Sequence, residues 1–240
     1  MAFGNGPRIV TGGLVLSLDA ADRNSYVSGS TTWYDLSGNN SNATLINGPK
    51  FSSANGGSIV FDGADDRVTF GSPNINTSCT NNQWIQPLSG SATTMRTLSY
   101  VTVNSATAVL YSQLVKTSNI WYHQILVSGY QAGYAQEMNV YFQSNVTEFV
   151  EKNTPYNFCF TWERIPGSSS TLKTYINGVY REQQQNTNDY WANTASLATG
   201  TYNVESSYLG SIGSTLFYNR ALSESEILQN YNAQKSRFGL

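Results

Sequence analysis

The chain has 240 residues, of which 12% are charged, and its 13 basic and 15 acidic side chains leave a formal net charge of −2. An average soluble domain carries roughly 25% charged residues, so this surface must be built from Ser, Thr, Asn, Gln and Tyr instead. No Lys/Arg cluster exceeds a pair, and no apolar run nears the ~20 residues of a membrane-spanning helix, which removes nucleic acid and membrane insertion from the expected partners.

A chain of this length can bury one sizeable core without dividing. "MAFGNGPRIV" lacks the basic region and apolar core of a signal peptide, so the expectation is a protein made and kept in a cytosol, or exported by some other route. Residues 1–13 read as an arm and 14–240 as one sandwich domain. Short strand-like runs then recur: "LVLSLD", "SIVFDG", "RVTF", "AVLYSQLV", "IWYHQILV", "YNFCFTWE", "TLKTYING" and "STLFYN", separated by Gly, Ser, Asn and Pro. In "YNFCFTWE" the residues Tyr156, Phe158, Phe160 and Trp162 share one face, the alternation of a half-buried strand. The polar tracts "SPNINTSCTNNQ" and "REQQQNTNDYWANTASLATG" read as loops between strands. Asn177-Gly178 tolerates positive φ at both positions and suits a type I′ hairpin turn. Only the C-terminus has helical signals. Ser223 and Glu226 form a capping box, Leu222 and Ile227 take the staple positions, and Gly239 can end a helix over about 224–236. Many short strands with polar turns and one such helix predict an all-β antiparallel sandwich.

Candidate chemistry is sparse. Asp62, Asp65 and Asp66 lie in "FDGADD", where the chain must reverse, and Asx-turn hydrogen bonds are sufficient reason for them. The other reading is a Ca²⁺ site, since that cation takes carboxylate oxygens, but further ligands would have to come from separate loops. Glu148 and Glu151 in "EFVE", taken as a strand, would point to opposite faces and could not work as a glycosidase pair. The one histidine, His123, sits in strand patterning with no nucleophile elbow nearby and reads as a packed side chain. Cys79 and Cys159 have no metal-ligand spacing and read as unlinked thiols. Sugars dock on exposed aromatic faces flanked by amides and hydroxyls. Trp84, Tyr190 and Trp191, in polar stretches, are the glycan candidates, whereas Trp33, Trp121 and Trp162 are assigned to packing.

The segments "GPRIVTGGLVLSLDAADRNSY", "TTWYDLSGNNSNATLINGPKFSSANGGSIVFDGADDRVTF" and "STLFYNRALSESEILQNYNAQKSRFGL" resemble the laminin-G-like group of the concanavalin-A-like lectin/glucanase superfamily. The match is closest to versions carried by tailed phages of marine bacteria. The resemblance implies a two-sheet jelly roll with its first and last strands adjacent. It also implies a structural role for "FDG-x-DD-x-V", with calcium at the sandwich rim in some members. Asn40 and Ala43 stand where related loops commonly place Gly, which puts the local turn and any ligand role of Asp35 in question. The glucanase motif E-x-D-x-x-E is absent, so no hydrolase is expected. The leading expectation is a virion structural or accessory protein, a capsid decoration, fibre or tail component. Its partners would be other virion proteins, a host-surface glycan and further copies of itself. A free carbohydrate-binding module is the alternative.

Overall fold

The computed structural model describes residues 7–71, 78–88, 94–101, 109–128, 144–166, 168–186, 201–204 and 208–240. Along the chain run β1 (Leu14–Asp19), β2 (Thr32–Trp33), β3 (Ala43–Ile46), β4 (Lys50–Ser52), β5 (Ser58–Asp62), β6 (Arg67–Phe70), β7 (Ser78–Pro87) and β8 (Thr94–Val101). They are followed by β9 (Val109–Thr117), β10 (Ile120–Ser128), β11 (Ser144–Asn145), the short helix α1 (Thr147–Glu151), β12 (Tyr156–Ile165) and β13 (Ser169–Ile176). Finally come β14 (Val179–Asn186), β15 (Thr201–Val204), β16 (Leu209–Tyr218) and the helix α2 (Glu224–Gln234). One antiparallel sheet has the order β14-β13-β12-β7-β16-β5-β4, with β1 also on β16; the other runs β11-β10-β9-β8-β15-β6-β3-β2. The expected all-β, two-sheet jelly roll with one C-terminal helix is the fold, and the first and last strands are neighbours.

Alternation decides which faces meet. Tyr156, Phe158, Phe160 and Trp162 of β12 are all buried between the sheets, together with Leu16, Phe61, Trp121 and Phe217. The strand is not half-buried as its alternation suggests, because Asn157, Cys159 and Thr161 on its other face are buried too. Strand β16 is shared along one edge: β5 pairs with Leu209–Ile212 and β1 with Ser214–Tyr218. The register shifts at Gly213 between them. A Cβ at Gly213 would lie 2.7 Å from the Phe238 ring, so only glycine lets the C-terminal turn approach this strand.

A second, smaller core lies on the outer face of the first sheet, where Val10, Cys159, Tyr175, Leu216, Tyr218, Leu222 and Ile227 pack beneath α2. The arm is tied there. Asn230 Oδ1 accepts from the Val10 amide at 2.8 Å, Tyr218 Oη donates to the Val10 carbonyl at 2.9 Å, and Gln229 Nε2 donates to the Arg8 carbonyl at 2.7 Å. Both halves of the capping box form, with Ser223 Oγ accepting from Glu226 N and the Glu226 carboxylate accepting from Ser223 N. The helix ends at Gln234, and a 3-10 turn over Lys235–Phe238 replaces its expected last residues before Gly239 at φ +77°. That tighter winding brings Phe238 onto Trp84, with ring centroids 4.1 Å apart and planes within 5°.

Two expected loops are strands. The polar run "SCTNNQ" opens β7, which is buried on both faces because it lies between the second sheet and α2. Two of its polar side chains are held across strands: Asn82 Oδ1 accepts from Asn157 Nδ2 at 2.7 Å, and Gln83 Nε2 donates to Thr215 Oγ1 at 3.3 Å. "REQQQN" completes β14, reached through Asn177 (φ +54°) and Gly178 (φ +74°) as the hairpin turn requires. Conversely, "EFVE" is a helical turn rather than a strand. Within it Phe149 stacks on Tyr156 at 4.7 Å, Val150 is buried, and Glu148 pairs with Lys152 at 2.8 Å.

Candidate functional site

The aspartate turn joins β5 to β6. Asp62 Oδ1 accepts from the amides of Ala64 at 2.8 Å and Asp65 at 3.3 Å, while Asp66 Oδ2 accepts from the Asp62 amide at 3.1 Å. The Ala64 amide above all holds the Asp62 carboxyl below its usual range. Burial pushes Asp66 the other way, and the charges of Asp62 and Asp65 add to that rise. One carboxylate oxygen from each aspartate lies within 4.8 Å of the others. Backbone amides use one oxygen each of Asp62 and Asp66 in shaping the turn; the remaining oxygens are those a hard cation would take.

This turn is fixed to the neighbouring loop. Asn47 Nδ2 donates to the Asp65 carbonyl at 2.9 Å, and Asn47 itself holds φ +67°, which asparagine tolerates. The loop Asn47-Gly48-Pro49 forms one wall of a rim cleft of about 510 Å³, and Ser28, Ser30 and Thr31 form the other. Its inner end is aromatic: Phe51 is half-buried there, and Tyr26, itself buried, stacks on it with centroids 5.7 Å apart and meets Trp33 edge-on at 6.5 Å. Tyr26 Oη donates to the Ser30 carbonyl at 3.1 Å, locking that wall, and burial raises its phenol above the ordinary value. Lys50 is the one cation of the lining among the described residues. Hydroxyls, an amide, backbone groups and an aromatic end in a space within the usual ~300–1,000 Å³ suit a small polar ligand.

The expected site residues fall out differently. Trp84 is a correction: it is fully buried, stacked on Phe238 and on Tyr231 at 5.7 Å, and anchors α2 to β7, so no sugar can reach its face. Tyr190 and Trp191 lie outside the described residues. His123 is packed, as its patterning implies. Its ring stacks on Phe158 at 3.5 Å, its Nε2 is 2.7 Å from Tyr156 Oη, and burial pushes its pKa down to about 3. Glu148 and Glu151 lie on α1, where positions three apart are neighbours, so the argument from opposite strand faces does not apply. Both are exposed, and Glu148 is already paired with Lys152. Asp35 organises its loop, accepting from Ser17 N, Ser37 N, Ser37 Oγ and Ser41 N at 2.7–3.1 Å. Asn40 itself holds φ +58°, which asparagine tolerates, two residues after Gly38 at φ +89°. Cys79 and Cys159 are buried free thiols, one in each core. The Tyr26–Phe51 cleft gives no periodic signal, since its lining comes from separate loops.

Comparison with known proteins places this architecture. The botulinum neurotoxin type G receptor binding domain superposes with a TM-score of 0.64 at 14% identity, over 92% of this chain and 51% of that one. A botulinum neurotoxin DC binding domain in complex with SialylT gives 0.66 at 14% identity, over 93% and 52%. A Trypanosoma rangeli sialidase mutant displaying trans-sialidase activity gives 0.60 at 15%, over 95% of this chain and 34% of that one. The chain thus spans about half the length of the toxin domains it matches. No curated protein sequence matches significantly. A family model described as concanavalin A-like lectin/glucanases superfamily matches residues 62–228. With that match and both sheets in place, the chain belongs to the concanavalin A-like lectin/glucanases superfamily.

Proposed function

We propose that this chain is a non-catalytic, lectin-type recognition domain that holds a glycan unit in the rim cleft of Tyr26 and Phe51. The observation that carries the reading is the lining of that cleft, hydroxyl, amide and backbone groups around an aromatic end. Pyranose rings present the complementary surface, apolar C–H faces edged by hydroxyls. The toxin binding domain in complex with SialylT and the sialidase support it as analogies of architecture only, because identity is low and each is longer than this chain. A glycan array tests the reading with the wild type and Thr31→Trp, an exposed substitution that obstructs the cleft. Signals that vanish in the variant support it; a silent array, or binding indifferent to the substitution, overturns it.

The phage-like resemblance of the terminal segments favours a finer placement, on a virus particle, with other virion proteins as neighbours and host glycans as ligands. Mass spectrometry of purified particles decides this. A fixed copy number supports the placement, and absence from particles leaves a free carbohydrate-binding module.

A further inference from the structure

On the outer face of the first sheet, a cleft of about 460 Å³ lies between α2, β1 and the arm, and it shares no lining residue with the rim cleft. Its floor is a patch of β-ladder in which Ser17 opposes Leu216 and Asp19 opposes Ser214. Side chains directly opposite in an antiparallel pair share a face, so all four point into one space. Gln234 and Arg237 close one wall, and Ile9 of the arm closes an end.

Donors and acceptors alternate over this floor. Ser214 Oγ donates to Gln234 Oε1 at 2.6 Å, which keeps lone pairs on Ser214 and leaves Gln234 Nε2 with no partner among the described residues. The Ser17 hydroxyl has none there either. Arg237 uses Nη1 for both Asp19 oxygens, at 2.6 and 2.8 Å, while its Nε and Nη2 are buried over the Phe238 ring and are not offered to a ligand, so Arg237 serves to hold Asp19 in place. Two cations, Arg8 and Arg237, are matched by Asp19 and Asp22, so the lining carries no net charge among the described residues to select an ion. A hydroxyl group both donates and accepts, and it therefore answers such a mixed array better than a carboxylate or an ammonium does. Ile9, Leu216 and Ala233 supply the apolar complement.

We propose that this cleft is a second saccharide site, taking an uncharged monosaccharide unit against the Ser17–Asp19–Ser214–Gln234 floor. The proposal rests on the lectin reading above but on a different face of the molecule. Amide ¹H–¹⁵N spectra during separate titrations with D-glucose, D-galactose, N-acetylglucosamine and N-acetylneuraminic acid test it. At least one neutral sugar is expected to shift the Ser17, Ser214 and Gln234 amides. Ser236→Trp, an exposed change at the mouth, is expected to abolish those shifts, and Gln234→Ala to weaken binding about tenfold, the loss of roughly one good hydrogen bond. Shifts confined to Thr31 and Asn47 overturn the second site and leave the rim reading standing. Shifts confined to the floor support it and remove the rim site. No shift from any neutral sugar at either cleft ends both, and N-acetylneuraminic acid binding the floor more tightly than neutral sugars overturns the uncharged class.

Discussion

His123 is a titratable group placed where only its neutral form is comfortable. It is fully buried between the sheets, stacked on Phe158 and bonded to Tyr156 Oη, and burial lowers its pKa to about 3. The unfolded chain binds that proton near pH 6.5. A depressed histidine therefore contributes stability that is complete above about pH 6.5 and is lost as pH falls from there towards 3. Each pH unit in that window costs about 1.4 kcal/mol, so between pH 7 and pH 5 this residue removes about 2 kcal/mol. His123→Phe removes the titration while keeping a stacked ring. Urea unfolding at the two pH values should show the wild type losing about 2 kcal/mol more than the variant, and equal losses would mean that the imidazole is not shielded as described.

The helix α2 shows at the level of an element what was legible in the sequence. Its start was readable because capping is local: Ser223 and Glu226 are three apart, and both reciprocal bonds form. Arg220 adds a two-nitrogen grip on the Glu226 carboxylate, at 2.6 and 2.9 Å, and with Ser223 holds its pKa down to about 2. Ser223→Ala should cost about 1 kcal/mol in chemical denaturation, the usual worth of an N-cap. Leu222 and Ile227 remain docked in the variant, so the fold should persist. The alternation of Tyr156 to Trp162 and the Asn177-Gly178 turn were legible for the same reason, since each signal lies within a few residues. Strand β7 was not. Covered on both faces, it has no polar side to alternate with, and Trp84 among Asn and Gln looks like a loop residue until α2 is laid over it. Helix α1 escaped because five residues give no period and Val146 offers no side-chain cap. Neither cleft could be read. The Asp19–Arg237 pair joins positions 218 residues apart, and nothing local marks the two as neighbours.

The described residues form three layers around two cores, and the two thiols report on them separately. Cys79 opposes Trp162 and belongs to the core between the sheets; Cys159 lies on the other side of the same sheet, among Tyr175, Leu216 and Ile227. Burial pushes both thiols far above their ordinary pKa, so neither reacts while its core is closed. Separating the sheets must break the large inter-sheet core, whereas lifting α2 and its arm exposes only the smaller one, and smaller units open at lower free energy. In low urea, native-state labelling with a maleimide should therefore modify Cys159 at least tenfold faster than Cys79, with Cys79→Ser and Cys159→Ser separating the two signals. Ser223→Ala should widen the gap, because it loosens the helix without touching the inter-sheet core. Equal rates in both single-thiol proteins would mean that helix and sandwich open as one unit, with the Trp84–Phe238 stack too strong a link for α2 to leave alone.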